Sequence, residues 1–424
     1  MKTYFFFLSC LIVTNLGNIQ AQETKSALFL GNSYTGNNNL PNLINSIANP
    51  LGDTLITDRN TPGGHWLQHH VGNTTSLQKI RQGNWDFVVL QEQSQKPSFS
   101  PAQVAAETYP YAAQLNDSIE LYNPCAETVF YMTWGRKNGD RQNCAVYAPS
   151  CTYTGMQGRL RTSYLEMMED NDAISSPVGA VWKYVRDSFP GIELYSADES
   201  HPSYAGSYLA ACTFYATLFR KSPVGSTHYG SLSDTTAQTL QSAVAHVVLD
   251  SLSTWNIGDF DAAADFSYRV NQDTPSVDFT NTSASDNQVY FWNFGDGNTS
   301  RLENPSHTYT AAGTYTVTLI AGCVHPDTTT QTVSIDTTSS LERASLNTTM
   351  KVYPNPVHQQ LYLEAENPIE IVELVDVLGQ RVYLQNSILS PTHQLNLSGQ
   401  RQGIYMLRIK TKGEKWFSQK IRIE

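Results

Sequence analysis

Three side chains, far apart in the sequence, have the types that nucleophilic catalysis needs. Ser33 stands in Leu30-Gly31-Asn32-Ser33-Tyr34-Thr35, directly after a short apolar run. Asp198 and His201 stand in Ala197-Asp198-Glu199-Ser200-His201-Pro202, after another such run. A serine hydroxyl is a weak nucleophile until an imidazole takes its proton, and a carboxylate behind the imidazole fixes the tautomer and stabilises the cation that forms. Each piece alone has a plainer reading. Asn32 and Ser33 suit a turn and a helix cap, and Asp-x-x-His suits a cap beside a surface histidine. Together they make a Ser-His-Asp set if the fold brings both loops to one sheet edge. Gly31 lets the backbone turn sharply, and Ser33 then begins a helix whose free N–H groups favour an anion. Pro202 suits a first helical position, which puts His201 at a helix start.

Other residue groups invite chemistry. His65, His69 and His70 cluster, and His65 and His69 have the i, i+4 spacing of zinc ligands on a helix. The glutamate of His-Glu-x-x-His is missing, so they read as helix-surface histidines beside the cleft; no metal and no cofactor is expected. Trp134-Gly135-Arg136-Lys137 follows an apolar run, and Trp134 and Arg136 are candidates to contact a sugar ring or a carboxylate. Tyr204 and Tyr208 read as packing residues.

These side chains need a scaffold. From Ser26 to Trp255, short apolar runs alternate with longer helical patterns. The expected strands are Ala27–Leu30, Thr54–Thr57, Phe87–Leu90, Thr128–Met132 and Ile192–Tyr195. The expected helices are Leu40–Leu51, Pro101–Ile119, Met156–Met168, Val178–Phe189, Pro202–Phe219 and Thr235–Leu252. The strands alternate little, as when both faces are buried. The fold class is therefore α/β, a flavodoxin-like three-layer α/β/α parallel sheet, in which ligands bind at the carboxyl ends of strands. From about Ala262 to Ile335 the composition turns to Thr, Ser, Asn and Asp with period-two segments, and Lys351 to Glu424 is again rich in short strands and turns. Both read as small all-β sandwich domains, joined by a polar linker. The expected boundaries are 1–22, 23–256, 262–336, 337–350 and 351–424.

Composition excludes some classes. The 424 residues carry 15% charged side chains and a net charge of −11, which argues against charge-driven disorder and against a nucleic-acid-coating surface. Met1 to Gln22 pairs Lys2 with an apolar stretch too short to span a bilayer, and ends near Ala21; this is the pattern of a secretory signal peptide, and no transmembrane segment is expected. Removing it leaves Cys125, Cys144, Cys151, Cys212 and Cys323, an odd number. Cys144 and Cys151 flank a short loop, and an exported protein allows a bridge there, stabilising by roughly 2–3 kcal/mol. Cys212 lies in an apolar helical run and reads as core.

With these blocks in order, the first zone resembles the SGNH (GDSL-type) hydrolases. Gly31-Asn32-Ser33-Tyr34 is similar to their Gly-Asp-Ser-Leu block, and Asp198-Glu199-Ser200-His201-Pro202 to their Asp-x-x-His-Pro block. The resemblance implies catalytic roles for Ser33, Asp198 and His201. It implies an oxyanion hole from the N–H groups of Ser33 and Gly64 (Gly63 being close behind), within Thr61-Pro62-Gly63-Gly64-His65. The block Leu90-Gln91-Glu92-Gln93-Ser94 lacks the family's Asn, so Gln93, or Gln91 as the alternative, falls at its place. Phe291 to Asn298, Asn304 to Tyr309 and Gly313 to Leu319 resemble a PKD domain; Asp286 and Asp296 there read as turn residues rather than a calcium site. Val352-Tyr353-Pro354-Asn355-Pro356, Val375 to Gln380 and Gly403-Ile404-Tyr405 resemble the C-terminal sorting domain of type IX secretion. The implied protein is secreted or bound at the outer cell surface. It would hydrolyse ester groups, acetyl by expectation, on extracellular carbohydrate or on small esters, and engage the type IX secretion machinery. The competing expectations are a non-catalytic surface-binding or adhesion protein on the same scaffold, and a lipase-like enzyme for longer acyl chains.

Overall fold

The computed structural model describes residues 22–271, 274–284, 289–335, 350–376, 380–412 and 416–424. The expected signal peptide, nearly all of the linker, Asp286 and the Leu378-Gly379 turn lie outside them.

The α/β domain is built on five parallel strands: β1 (Thr24–Leu30), β2 (Thr54–Asn60), β3 (Phe87–Leu90), β4 (Glu127–Tyr131) and β5 (Ile174–Ser176), in the order β2-β1-β3-β4-β5. Ala27–Leu30 and all of β3 are buried, because helices cover both sheet faces and leave no face for polar alternation. The helices are α1 (Ser33–Gly36), α2 (Leu40–Ala48), α3 (Leu67–Val71), α4 (Thr74–Ile80), α5 (Pro101–Glu107), α6 (Tyr109–Tyr122), α7 (Tyr153–Asp170), α8 (Val178–Ser188), α9 (Tyr204–Phe219) and α10 (Asp234–Val248). Ala205 through Phe219 of α9 are all buried, as its apolar character on every side requires. The strand order reverses direction between β1 and β3, so the crevice beyond their carboxyl ends is the natural ligand site. The turns carrying Ser33 and Gln91 both open there.

Several expected elements differ in kind or extent. Ile192–Tyr195 is not the fifth strand: it makes a single bridge, Tyr195 to Pro202, and the Glu193 carboxylate takes the Tyr195 N–H that a ladder would use. The edge strand is instead the three-residue β5, whose Ser175 and Ser176 hide it from a hydrophobicity pattern. The expected helix Pro101–Ile119 is two helices, because Pro110 has no N–H to give and its ring crowds the carbonyl four residues back. The expected helix Pro202–Phe219 begins at Tyr204 with Ser203 as its cap, two residues later than Pro202.

The first β module packs a three-stranded sheet, β6 (Phe266–Val270), β7 (Ser276–Asn281) and β10 (Ser306–Thr308), against a four-stranded one. The latter holds β8 (Tyr290–Asn293), β9 (Thr299–Ser300), β11 (Gly313–Ala321) and β12 (Asp327–Ile335). Phe266, Phe279 and Trp292 meet at its centre. This module is fixed to the amino ends of the parallel strands. Cys125, just before β4, is disulfide-bonded to Cys323. Lys25 of β1 donates to the Val324 carbonyl at 2.6 Å, and Val324 is buried within the α/β core. The module therefore sits at the end of the sheet opposite the Ser33 turn. The expected Cys144–Cys151 bridge is present, and Cys212 is a buried free thiol.

The C-terminal unit is a separate antiparallel module: β13 (Lys351–Tyr353), β14 (Gln360–Val375), β16 (Gly403–Thr411) and β17 (Trp416–Ile423) in that order, with β15 (Arg381–Asn396) on β14. Its own core gathers Leu361, Leu363, Val372, Leu407 and Ile421.

Candidate active site

Ser33 occupies the first position of α1, where the chain leaves β1. Asn32 caps that turn: its carboxamide oxygen accepts the Tyr34 N–H at 3.1 Å. The Asn32 amide nitrogen donates to the His65 carbonyl at 2.9 Å, which draws the Pro62–His65 turn against the serine. That turn is closed by His65 N–H to Pro62 C=O, a bond that uses neither the Gly63 nor the Gly64 N–H. Gly64 has a φ of 71°, a conformation an L side chain rarely adopts.

The Ser33 Oγ lies 2.8 Å from His201 Nε2. The other ring nitrogen of His201, Nδ1, donates to one oxygen of Asp198, and the second oxygen accepts the N–H groups of Ser200 (3.0 Å) and His201 (2.9 Å). Partial burial pushes the Asp198 carboxyl up, but the imidazole and the two backbone N–H groups outweigh it and hold it below the ordinary aspartate value. Asp198 thus stays ionised and favours the proton on Nδ1; in that neutral tautomer Nε2 is the acceptor facing the serine. The side chains of His201 and Asp198 are 33% and 50% exposed; the site is open to solvent on the histidine side.

The remaining candidates fall elsewhere. Trp134 is not a substrate contact. It is fully buried, stacked between Tyr34 (4.8 Å) and Trp182 (3.9 Å), and its indole N–H donates to the Ser200 carbonyl. Arg136 stays partly exposed, 3.6 Å from Asp140. Gln91 is fully buried; its carboxamide oxygen accepts the Asn32 N–H and the Thr35 hydroxyl, and its nitrogen donates to the Glu92 carbonyl. Gln93 folds back on its own turn, accepting from Gln95 N–H and donating to Gln95 Oε1 and Ser94. Both amides are engaged by neighbouring groups. His69 is exposed and His65 half-buried, but His70 is fully buried, with Nε2 2.9 Å from the Gly31 carbonyl and Nδ1 2.7 Å from Ser76 Oγ. Leu67, His70 and Val71 share one helical face, and that spacing marks His70 as inward-facing. In the first β module, Asp296 serves its turn, accepting the Asn298 N–H and pairing with His307.

Residues 254–338 match the family described as PKD domain, and residues 351–424 match the secretion system C-terminal sorting domain. The latter marks the chain for export to the extracellular space or the cell surface. No helix among the described residues is long and apolar enough to cross a membrane. Among curated proteins, the pre-pro-metalloprotease PrtV of Vibrio cholerae is 36% identical over 124 residues, which is 28% of this chain and 13% of that protein. Among solved structures, a DUF4886 family protein from Bacteroides uniformis is similar at 17% identity and a TM-score of 0.47, covering 53% of this chain and 95% of its own. A putative SGNH hydrolase from Slackia heliotrinireducens is similar at 26% identity and a TM-score of 0.38, covering 46% of this chain and 98% of its own.

Proposed function

We propose that this chain is an exported serine esterase. The observation that carries the reading is the contact of Ser33 Oγ with His201 Nε2, with Asp198 on the far ring nitrogen. His201 takes the Ser33 proton as Oγ attacks the ester carbonyl carbon. The tetrahedral oxyanion is received by the N–H groups of Ser33 and Gly64. The imidazolium, stabilised by Asp198, returns its proton to the departing alkoxide, and water then releases the acyl group by the same steps in reverse. One oxyanion donor is worth about 3–4 kcal/mol of barrier, so engagement of both glutamines elsewhere leaves a slower enzyme than three donors would give. The substrate class we propose is an acetyl ester on extracellular glycan. It rests on export and on an open rim that can admit an ester carried by a bulky polymer.

One observation favours a second reading, a surface-binding protein without catalysis: Gln91 and Gln93 offer no third donor. A fluorophosphonate probe separates the two. The esterase is labelled at Ser33 and turns over p-nitrophenyl acetate, and Ser33→Ala loses both. An unlabelled wild-type protein leaves the binding reading. Acetate release from acetylated polysaccharides, set beside octanoyl ester hydrolysis, then tests the acyl and glycan assignments.

A further inference from the structure

We infer that His70 and Gln91 are positioning residues that hold, from its two poles, the peptide unit leading into the nucleophile turn. The inference rests on the reading of Ser33 as nucleophile. Gly31 C=O and Asn32 N–H belong to one peptide group. His70 Nε2 lies 2.9 Å from that oxygen, and Gln91 Oε1 lies 3.0 Å from that nitrogen. Both side chains are fully buried. Since a peptide plane is rigid, fixing both poles fixes its rotation, and with it the direction in which Asn32 and Ser33 leave the sheet.

The protons on this grip are determined. A carbonyl only accepts, so His70 Nε2 carries the hydrogen. Burial lowers the His70 pKa to about 4, so the ring is neutral and Nδ1 is an acceptor. Ser76 O–H must then donate to Nδ1, while Ser76 Oγ accepts from the Asn60 amide at 2.9 Å. The Asn60 carbonyl in turn accepts the Gly31 N–H at 3.2 Å. Gly31, Asn60, Ser76 and His70 form a closed circuit in which each member donates to the next in one sense. On the opposite side, Gln91 Oε1 also accepts the Thr35 hydroxyl at 2.9 Å. A Cβ on residue 31 would lie 2.7 Å from that oxygen, so only glycine permits this approach.

Turnover of p-nitrophenyl acetate and the rate of fluorophosphonate labelling, measured on the full chain, test the inference. In His70→Gln a side-chain amide N–H takes the place of Nε2–H. In His70→Asn the donor falls short of Gly31. Gln91→Met removes the acceptor while keeping the length. The expected result is a 10- to 100-fold fall in kcat for His70→Asn and Gln91→Met, with KM within about twofold and labelling slowed in parallel. His70→Gln should recover to within about fivefold of wild type. Equal losses in His70→Gln and His70→Asn, or kcat unchanged in the folded Gln91→Met protein, overturn it. If His70→Asn does not fold, the Gln91→Met kinetics decide. Unlabelled wild-type protein overturns the nucleophile reading itself, whereas normal labelling of wild type and variants alike overturns this inference alone.

Discussion

The hydroxyl of Tyr34 lies 2.7 Å from the hydroxyl of Ser200, joining the chain neighbours of Ser33 and His201 across 166 residues of sequence. Tyr34 also meets the His201 ring edge-on at 5.2 Å. The Ser33 turn and the His201 loop are therefore coupled beside the contact of Ser33 Oγ with His201 Nε2. Tyr34→Phe and Ser200→Ala each remove this bond, and Tyr34→Phe also removes the hydroxyl's hydrogen bond with Ser94. One such bond contributes about 0.5–1.5 kcal/mol to stability, and only the part used to hold the two loops in the reacting arrangement reaches the rate, so kcat should fall by at most about 12-fold in either variant. The double variant should be no worse than Tyr34→Phe alone, since that variant already deletes the Ser200 contact. Additive losses in steady-state kinetics would show that the two hydroxyls act separately.

Trp134 sits in the same column of rings, between Tyr34 and Trp182, and the stack continues edge-on to Tyr195. Truncating so large a buried ring leaves a cavity, at a cost of about 3–5 kcal/mol. Trp134→Ala should show a markedly lower Tm. Trp134→Phe keeps a ring but loses the indole bond to Ser200, and should lower Tm less while leaving KM for a small ester within twofold. A sugar-stacking residue would behave oppositely, with Tm unchanged and glycan KM raised. Thermal melts beside glycan kinetics distinguish the two.

How much of this was readable in advance follows from the kind of signal each feature leaves. β1 and β3 are legible because strands buried on both faces leave unbroken apolar runs. β5 is not, because three residues at an edge, two of them serine, leave none. Ser33, Asp198 and His201 can be nominated from residue type and from their places after apolar runs, and the structure sets them in contact. The Gly31–Asn60–Ser76–His70 circuit has no period, since its members come from two strand ends and two short helices. Trp134 misleads because its burial depends on Trp182, on α8, which the residues around Trp134 do not announce. The partner of Cys125 is likewise invisible: 198 residues separate it from Cys323, and spacing alone does not say which cysteines pair.

That bridge has a testable weight. Closing so long a segment restricts the unfolded chain by roughly 5 kcal/mol in the chain-entropy model, while removal of native bridges usually costs 2–5. Lys25 and Val324 contacts remain at the junction after it is cut. Cys125→Ser combined with Cys323→Ser should lower stability by roughly 2–5 kcal/mol. It should leave kcat within twofold, because the junction lies at the amino ends of the strands and the Ser33 turn at the carboxyl ends. Calorimetry and ester kinetics on the same sample check both halves. Unchanged stability, or activity lost in a folded variant, would contradict the assignment of the bridge as a structural tie remote from the site.

Two buried groups near the Ser33 turn bend the pH dependence of stability in opposite directions. Burial lowers the His70 pKa from 6.5 to about 4, the bond to Gly31 only partly offsetting it. Between those values the unfolded chain binds the extra proton, so this histidine makes stability rise with pH from about 4 to 6.5. Burial raises the Glu92 pKa from 4.5 to about 7, against the N–H groups of Gln93 and Leu67 and the charge of Lys96. There the folded chain binds the extra proton, so this glutamate makes stability fall as pH rises from 4.5 to about 7. The slopes, each at most about 1.4 kcal/mol per pH unit, oppose one another between pH 4.5 and 6.5. Glu92→Gln leaves the histidine unopposed: its stability relative to wild type should climb as pH is raised through that window. His70→Gln leaves the glutamate unopposed, and its relative stability should decline over the same interval. Urea unfolding of the three proteins at pH 4.5, 5.5, 6.5 and 7.5 reads the slopes directly. Three parallel curves would mean that neither group changes its proton affinity on folding.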